Sequence, residues 1–150
     1  MHADPDHESR SDGEHRADRS AATDAHDVVE LELPLHHPHA STVRVVAASL
    51  AADIGFSVDE IEDLRLGVDE AVSIMADADG EPGARLHLRF VLSGPTITVS
   101  VTRTGVSSVI TRADVDGLAM RILHAVVDGF DVSDDGAFVV SKRAATSHVD

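Results

Sequence analysis

The sequence contains no cysteine, no tryptophan and no tyrosine, and only four phenylalanines. Without cysteine, disulfide staples and thiol chemistry are excluded, and a reducing compartment suits the chain. With so few aromatics, any core must be built from Ala, Val, Leu and Ile. Long hydrophobic runs are also missing. The longest apolar stretch, Val45 to Ala52, is interrupted by Ser49 and is far too short to cross a bilayer. The first 27 residues are polar and lack the apolar segment of a secretory signal. Basic residues are scarce: 12 Lys and Arg against 27 Asp and Glu give a formal charge of −15. Direct binding to nucleic acid needs cations to neutralise phosphates, so that partner class is not expected. A basic protein partner is electrostatically favoured, although such a charge also simply keeps a protein soluble. A soluble, cytoplasmic protein with no membrane association is expected.

The 150 residues are 43% hydrophobic, enough for one domain with a real core. Residues 1–27 hold eight acids, three arginines and four histidines with almost no large apolar side chain. Such a segment cannot bury enough surface to offset its ordering entropy, so it reads as a disordered acidic tail. Its histidines, His2, His7, His15 and His26, are spaced irregularly, which argues against a metal site. Order is expected over residues 28–145, with 146–150 frayed.

Val28 to Leu33 reads as a strand that Pro34 places at an edge or a strand end. His36-His37-Pro38-His39 follows; Pro38 forces an extended turn and no further ligand is spaced to complete a metal shell, so a solvated loop is expected. Val43, Val46, Ala47, Leu50, Ala51 and Ile54 keep a helical period, and Gly55-Phe56 supplies a helix C-terminal motif. Ser57-Val58-Asp59-Glu60 forms a capping box opening a second helix, striped by Ile61, Leu64, Val68, Ala71, Val72 and Met75. After a loop over 79–83, Leu86, Leu88, Phe90 and Leu92 alternate with Arg89 and its neighbours. Ser93-Gly94-Pro95 turns the chain and Ile97, Val99 and Val101 alternate again, which is a hairpin. Thr111 to Asp114 offers a second capping box, predicting a helix through Leu118, Ile122, Leu123, Val126 and Val127 that ends at Gly129. His124 on that helix reads as a packed or surface residue. Strands at Phe130–Ser133 and Ala137–Lys142 are joined by Asp134-Asp135-Gly136. The order β-α-α-β-β-α-β-β does not alternate strictly. It predicts a two-layer α+β sandwich with three helices on one face of a mixed or mainly antiparallel sheet.

This order, with Asp63-Leu64-Arg65-Leu66-Gly67-Val68-Asp69-Glu70-Ala71 in the second helix, resembles the RsbW-type anti-sigma factors of the histidine-kinase-like ATPase superfamily. The likeness runs from about Val28 to Ala145 and is supported by Asp116-Gly117-Leu118-Ala119-Met120-Arg121-Ile122-Leu123 and the closing hairpin. The resemblance implies a cytoplasmic, usually dimeric regulator. Such a protein sequesters a stress or developmental sigma factor and is displaced by an anti-anti-sigma protein of the STAS type. Many members are also ATP-dependent serine kinases acting on that antagonist.

The kinase chemistry implied by the resemblance depends on particular groups. The family helix carries Glu-x-x-x-Asn, where the glutamate handles the attacking hydroxyl and the asparagine oxygen ligates Mg²⁺. Glu70 matches the first position, but Ile74 stands at the second and a hydrocarbon ligates nothing. The family's Asp-x-Gly-x-Gly, whose aspartate accepts from the adenine amino group, aligns with Arg103-Thr104-Gly105-Val106-Ser107. Arginine offers donors only. The glycines that let backbone amides approach phosphate read Gly117-Leu118-Ala119. Glu70, Gly105 and Gly117 therefore match, while Ile74, Arg103, Ser107 and Ala119 depart. Each match also has a structural reading: Glu70 as a solvated helix carboxylate, Gly105 as a loop glycine, Gly117 as an adjustment near a helix start. Arg103 is either a surface strand residue or fills the vacant site by pairing with Asp69 or Glu70.

The expected function is a non-catalytic or weakly nucleotide-dependent anti-sigma factor that works by protein binding, with no cofactor expected, ATP with Mg²⁺ being the one that the resemblance would supply. A working serine kinase with divergent motifs is the first alternative, and a binding domain for another regulator the second.

Overall fold

The computed structural model describes residues 27–76 and 81–145. Five strands, β1 (Asp27–Pro34), β2 (Arg85–Ser93), β3 (Thr96–Thr104), β4 (Gly129–Val132) and β5 (Phe138–Arg143), form a sheet of order β1-β2-β3-β5-β4. Every neighbouring pair is antiparallel. Three helices, α1 (Ala40–Asp53), α2 (Val58–Met75) and α3 (Gly117–Val126), complete an α+β sandwich in the expected order. The acidic tail and its four histidines, apart from Asp27, lie outside the described residues, as do 146–150.

Alternation fixes which face of the sheet is covered. The registers stack Phe90, Val99 and Val140 in one row and Leu88, Val101 and Phe138 in the next, all fully buried. The reverse side carries Glu30, Glu32, His87, Arg89, Ser100 and Thr102, which line an open groove whose lining residues all come from strands. Each helix turns an apolar stripe inward: Val43, Ala47 and Ala51 from α1, Leu64, Val68, Ala71, Val72 and Met75 from α2, Ala119, Leu123 and Val126 from α3. These join the strand residues in one cluster. Small side chains let α2 and α3 approach closely, and at Gly67 a Cβ would stand 2.5 Å from Val127 Cγ1.

The helix ends follow their local chemistry. The Phe56 amide donates to the Ala51 carbonyl at 3.0 Å and the Gly55 amide to Ala52 at 3.2 Å, with Gly55 at φ 92°. This is the paired C-terminal motif that Gly55-Phe56 predicts. At the start of α2 the Glu60 amide donates to Ser57 Oγ at 3.1 Å and the Ser57 amide to Glu60 Oε1 at 2.8 Å. The second Glu60 oxygen accepts the Ala145 amide at 2.6 Å, so this cap also pins the chain beyond β5.

Two expectations need correction. The Thr111–Asp114 box is present but closes only a single 3-10 turn, Arg112–Asp114. Val115 then leaves helical geometry to bury its side chain at 8% exposure, and α3 begins afresh behind Asp116. Nor does Gly129 end α3: the helix stops at Val126, and Gly129 is the first residue of β4. Val126 and Val127 are both buried, and the Asp128 amide already donates to Ser141 in the sheet. Among the described residues, no helix is long and apolar enough to cross a membrane.

Candidate functional site

The residues singled out by sequence gather around the C-terminal half of α2, the end of β3 and the start of α3. Glu70 and Ile74 sit one turn apart on α2. Glu70 is half-buried, and its carboxyl is raised above the ordinary glutamate range, chiefly by desolvation and then by the nearby charges of Asp69 and Asp116. Asp69 is held by Arg44 of α1 at 2.9 Å. Glu70, Asp69 and Arg44 share a groove of about 360 Å³ with Pro38, Ala40 and Ser73. Ile74 is packed against the core. Its position therefore serves packing and offers no oxygen to a metal.

Arg103, next to last in β3, turns towards the end of α2. Its Nη1 lies 3.5 Å from the Met75 carbonyl and its Nη2 donates to Ser108 Oγ at 2.9 Å. Arg103 is a half-buried strand residue, and among the described residues it pairs with neither Asp69, which Arg44 holds, nor Glu70. Arg103 lines a separate cleft of about 160 Å³ with Thr102, Val106, Ser108, Asp135 and Gly136, not the groove that holds Glu70.

The two matching glycines differ. Gly105 has φ 81°, and a Cβ there would lie 3.0 Å from Ala84 Cα. Its own backbone therefore demands glycine whether or not a ligand binds. Gly117 has no atom within 4 Å of where a Cβ would sit. Ser107 is exposed, whereas Ala119 is 5% exposed and contributes its methyl to the core.

Sequence reasoning used Asp116 only as part of the resemblance and missed it as a helix cap. Its Oδ1 accepts the Ala119 amide at 2.8 Å as the N-cap of α3. Asp followed by Gly-Leu-Ala at the start of an apolar-striped helix was the available signal. The consequence is electrostatic. A helix N-terminus attracts phosphate through free amides and the positive end of its dipole. Here the protein supplies its own anion at that end, with Asp69 and Glu70 adding charge of the same sign nearby. The residues at these positions differ from the pattern that the resemblance implies: Ile74 offers no oxygen to a metal, Arg103 offers donors only, and the Ala119 amide is engaged by Asp116. Among the described residues, no group of three or more His, Asp or Glu side chains is placed to hold a metal ion. His36, His37 and His39 are exposed, and His124 is exposed with its ring edge-on to Phe130 at 5.0 Å.

No family profile matches the chain. Curated proteins do resemble it, and those reported below all carry the name serine-protein kinase RsbW. The protein of Listeria monocytogenes serotype 4a (strain HCC23) is 30% identical over 84 residues, covering 55% of this chain and 54% of that protein. That of Halalkalibacterium halodurans is 27% identical over 81 residues, covering 54% and 50%. That of Bacillus licheniformis is 24% identical over 135 residues, covering 78% and 84%. The chain thus spans about half the length of the first two. It is similar to RsbW-type proteins as a divergent relative.

Proposed function

We propose that this divergent RsbW relative is an anti-sigma factor that represses transcription by holding a sigma factor through protein contacts alone. In this reading it needs no nucleotide, acts as a homodimer and is released by an anti-anti-sigma protein of the STAS type. The observation that carries the reading is the Asp116 carboxylate on the Ala119 amide. By the resemblance, this carboxylate would stand close to bound phosphates and Ile74 at the position of a metal ligand, which supports a reading without nucleotide. What then remains of the inherited activity is binding. The charge balance agrees: with eight of the 27 acids and three of the 12 Lys and Arg in residues 1–27, 19 acids face nine basic residues from Val28 onward. Sigma factors present basic surfaces to promoter DNA, and an acidic partner masks such surfaces.

The test is binding of the purified full chain to a panel of sigma factors from the same cell, read by co-elution in size-exclusion chromatography. One member should co-elute with this protein; failure of every member contradicts the assignment. One feature favours a second reading, an active serine kinase. Glu70 survives, and its raised pKa suits a general base. Transfer of labelled γ-phosphate to the anti-anti-sigma protein would establish that reading and contradict the nucleotide-free part of the first.

A further inference from the structure

We propose that Lys142 is a fold-gated acylation site: closed to acyl donors in the native protein, it becomes a target only when this end of β5 opens away from α3, and its acylation then keeps the joint open. The sequence carries 11 arginines but a single lysine. A guanidinium stays protonated and offers no lone pair to an acyl group. Lys142 is therefore the one side chain able to form a stable amide with an activated acyl donor. Its placement withholds that amine. Lys142 is only 9% exposed. Its Nζ donates to the carbonyl of Val126, the last residue of α3, at 2.8 Å and lies 3.8 Å from Asp63 Oδ2 of α2. The backbone beyond it is also tied: the Arg143 amide donates to Asp128 Oδ2 at 2.7 Å and the Ala144 amide to the Pro95 carbonyl at 2.9 Å. Freeing the amine strips a helix-terminal carbonyl of its donor, a state the folded chain seldom visits.

The step is acyl transfer from an acyl phosphate. The lone pair of the uncharged amine attacks the carbonyl carbon and a C–N bond forms. The bond from that carbon to the phosphate oxygen breaks, phosphate leaves with the electron pair, and the displaced Nζ proton passes to solvent. An ammonium donating to Val126 has no lone pair to offer, so the native contact blocks the chemistry as well as the approach. After acylation the nitrogen keeps a single hydrogen and no charge to set against Asp63. The added acyl group must also fit a buried position, where extra volume displaces its neighbours. The modified side chain thus holds β5 away from the two helices that carry the candidate site.

Acetyl phosphate serves as the probe, with mass spectrometry reading acetylation at Lys142 of the purified full chain. A peptide of residues 139–145, blocked at its amino end, gives the unprotected rate. In buffer Lys142 of the full chain should react about a hundredfold or more slowly than in the peptide, since reaction tracks the open fraction. In denaturing urea the two rates should agree. Equal rates in buffer overturn the gate. Chain acetylated in urea and returned to buffer tests the second half by hydrogen exchange. Amides of 139–145 and the last turn of α3 should exchange about tenfold faster than in unmodified chain carried through the same steps. Lys142→Arg, which cannot be acetylated there, should show one exchange pattern before and after treatment. Native exchange in the acetylated chain overturns the held-open joint, whereas its failure to refold while unmodified chain succeeds supports it. The gate does not depend on what the protein binds, so its failure leaves the anti-sigma reading standing.

Discussion

The Lys142 ammonium of β5 donates to the Val126 carbonyl, the last residue of α3, at 2.8 Å. Lys142 is only 9% exposed, and its Nζ lies 3.8 Å from Asp63 Oδ2 on α2. One buried cation thus joins the two helices that carry the candidate site to the strand beneath them. The hydrogen bond matters more than the ion pair. The Asp63 side chain is 46% exposed, and water screens a pair of that kind.

Lys142→Met keeps most of the apolar stem and removes the donor. The Val126 carbonyl is then left without its partner, at a cost of about 1–3 kcal/mol. Thermal unfolding should show a melting temperature lowered by roughly 4 °C or more. An unchanged midpoint would mean that water replaces the ammonium without loss.

At Gly67 the prediction concerns space. Gly67→Ala puts a methyl where Val127 Cγ1 already lies 2.5 Å from the Cβ position. The better helix propensity of alanine, about 0.8–1 kcal/mol, works against an overpacking cost of about 1–3 kcal/mol. Net destabilisation is expected in urea unfolding, and the larger Gly67→Val should lose more.

Glu70 predicts a pH dependence. Its folded pKa is raised above the ordinary 4.5, so the native state holds this proton more tightly than the unfolded chain. Linkage then makes the site lose stability as pH rises from about the ordinary value through the folded one. Glu70→Gln removes the charge, and its melting temperature should exceed that of wild type at neutral pH. Below the ordinary glutamate value the two should converge. A gain that persists at low pH would point to packing rather than charge.

Asp116→Ala should cost about 0.5–2 kcal/mol as a lost N-cap. It also frees the Ala119 amide and removes one negative charge beside Glu70. Calorimetric titration with ATP and Mg²⁺ should find no binding tighter than ~10 μM, about −7 kcal/mol, in wild type. Any detectable affinity should be greater in Asp116→Ala. Tighter binding by wild type would show that Ile74 and Arg103 leave a working nucleotide site.

Much of the fold was legible because local and long-range signals agree. Ser57 with Glu60, and Gly55 with Phe56, state helix boundaries in residues that satisfy specific backbone groups. The alternation from Leu86 to Phe90 and from Ile97 to Val101 likewise declares the covered face. The start of α3 was misplaced because two capping signals compete there. Thr111 with Asp114 closes a real turn, and only the burial of Val115, a tertiary event, hands the helix to Asp116. The site was legible as a set of departures from a pattern, with Ile74 and Arg103 plain in the sequence. What Arg103 does instead was not legible, since Met75 meets it only through the packing of α2 against β3, and Ser108 only through the path of the connection after β3.

The most direct test of the proposed sequestration without a nucleotide is surface plasmon resonance of the full chain with whichever sigma factor co-elutes with it, run with and without ATP and Mg²⁺ and from 0.1 to 1 M salt. Over that range the Debye length falls from about 10 Å to about 3 Å, so association between an acidic protein and a basic partner should slow as salt rises. The dissociation constant at each salt concentration should be the same with or without nucleotide. A sigma factor retained only when ATP and Mg²⁺ are present would contradict nucleotide-independent sequestration.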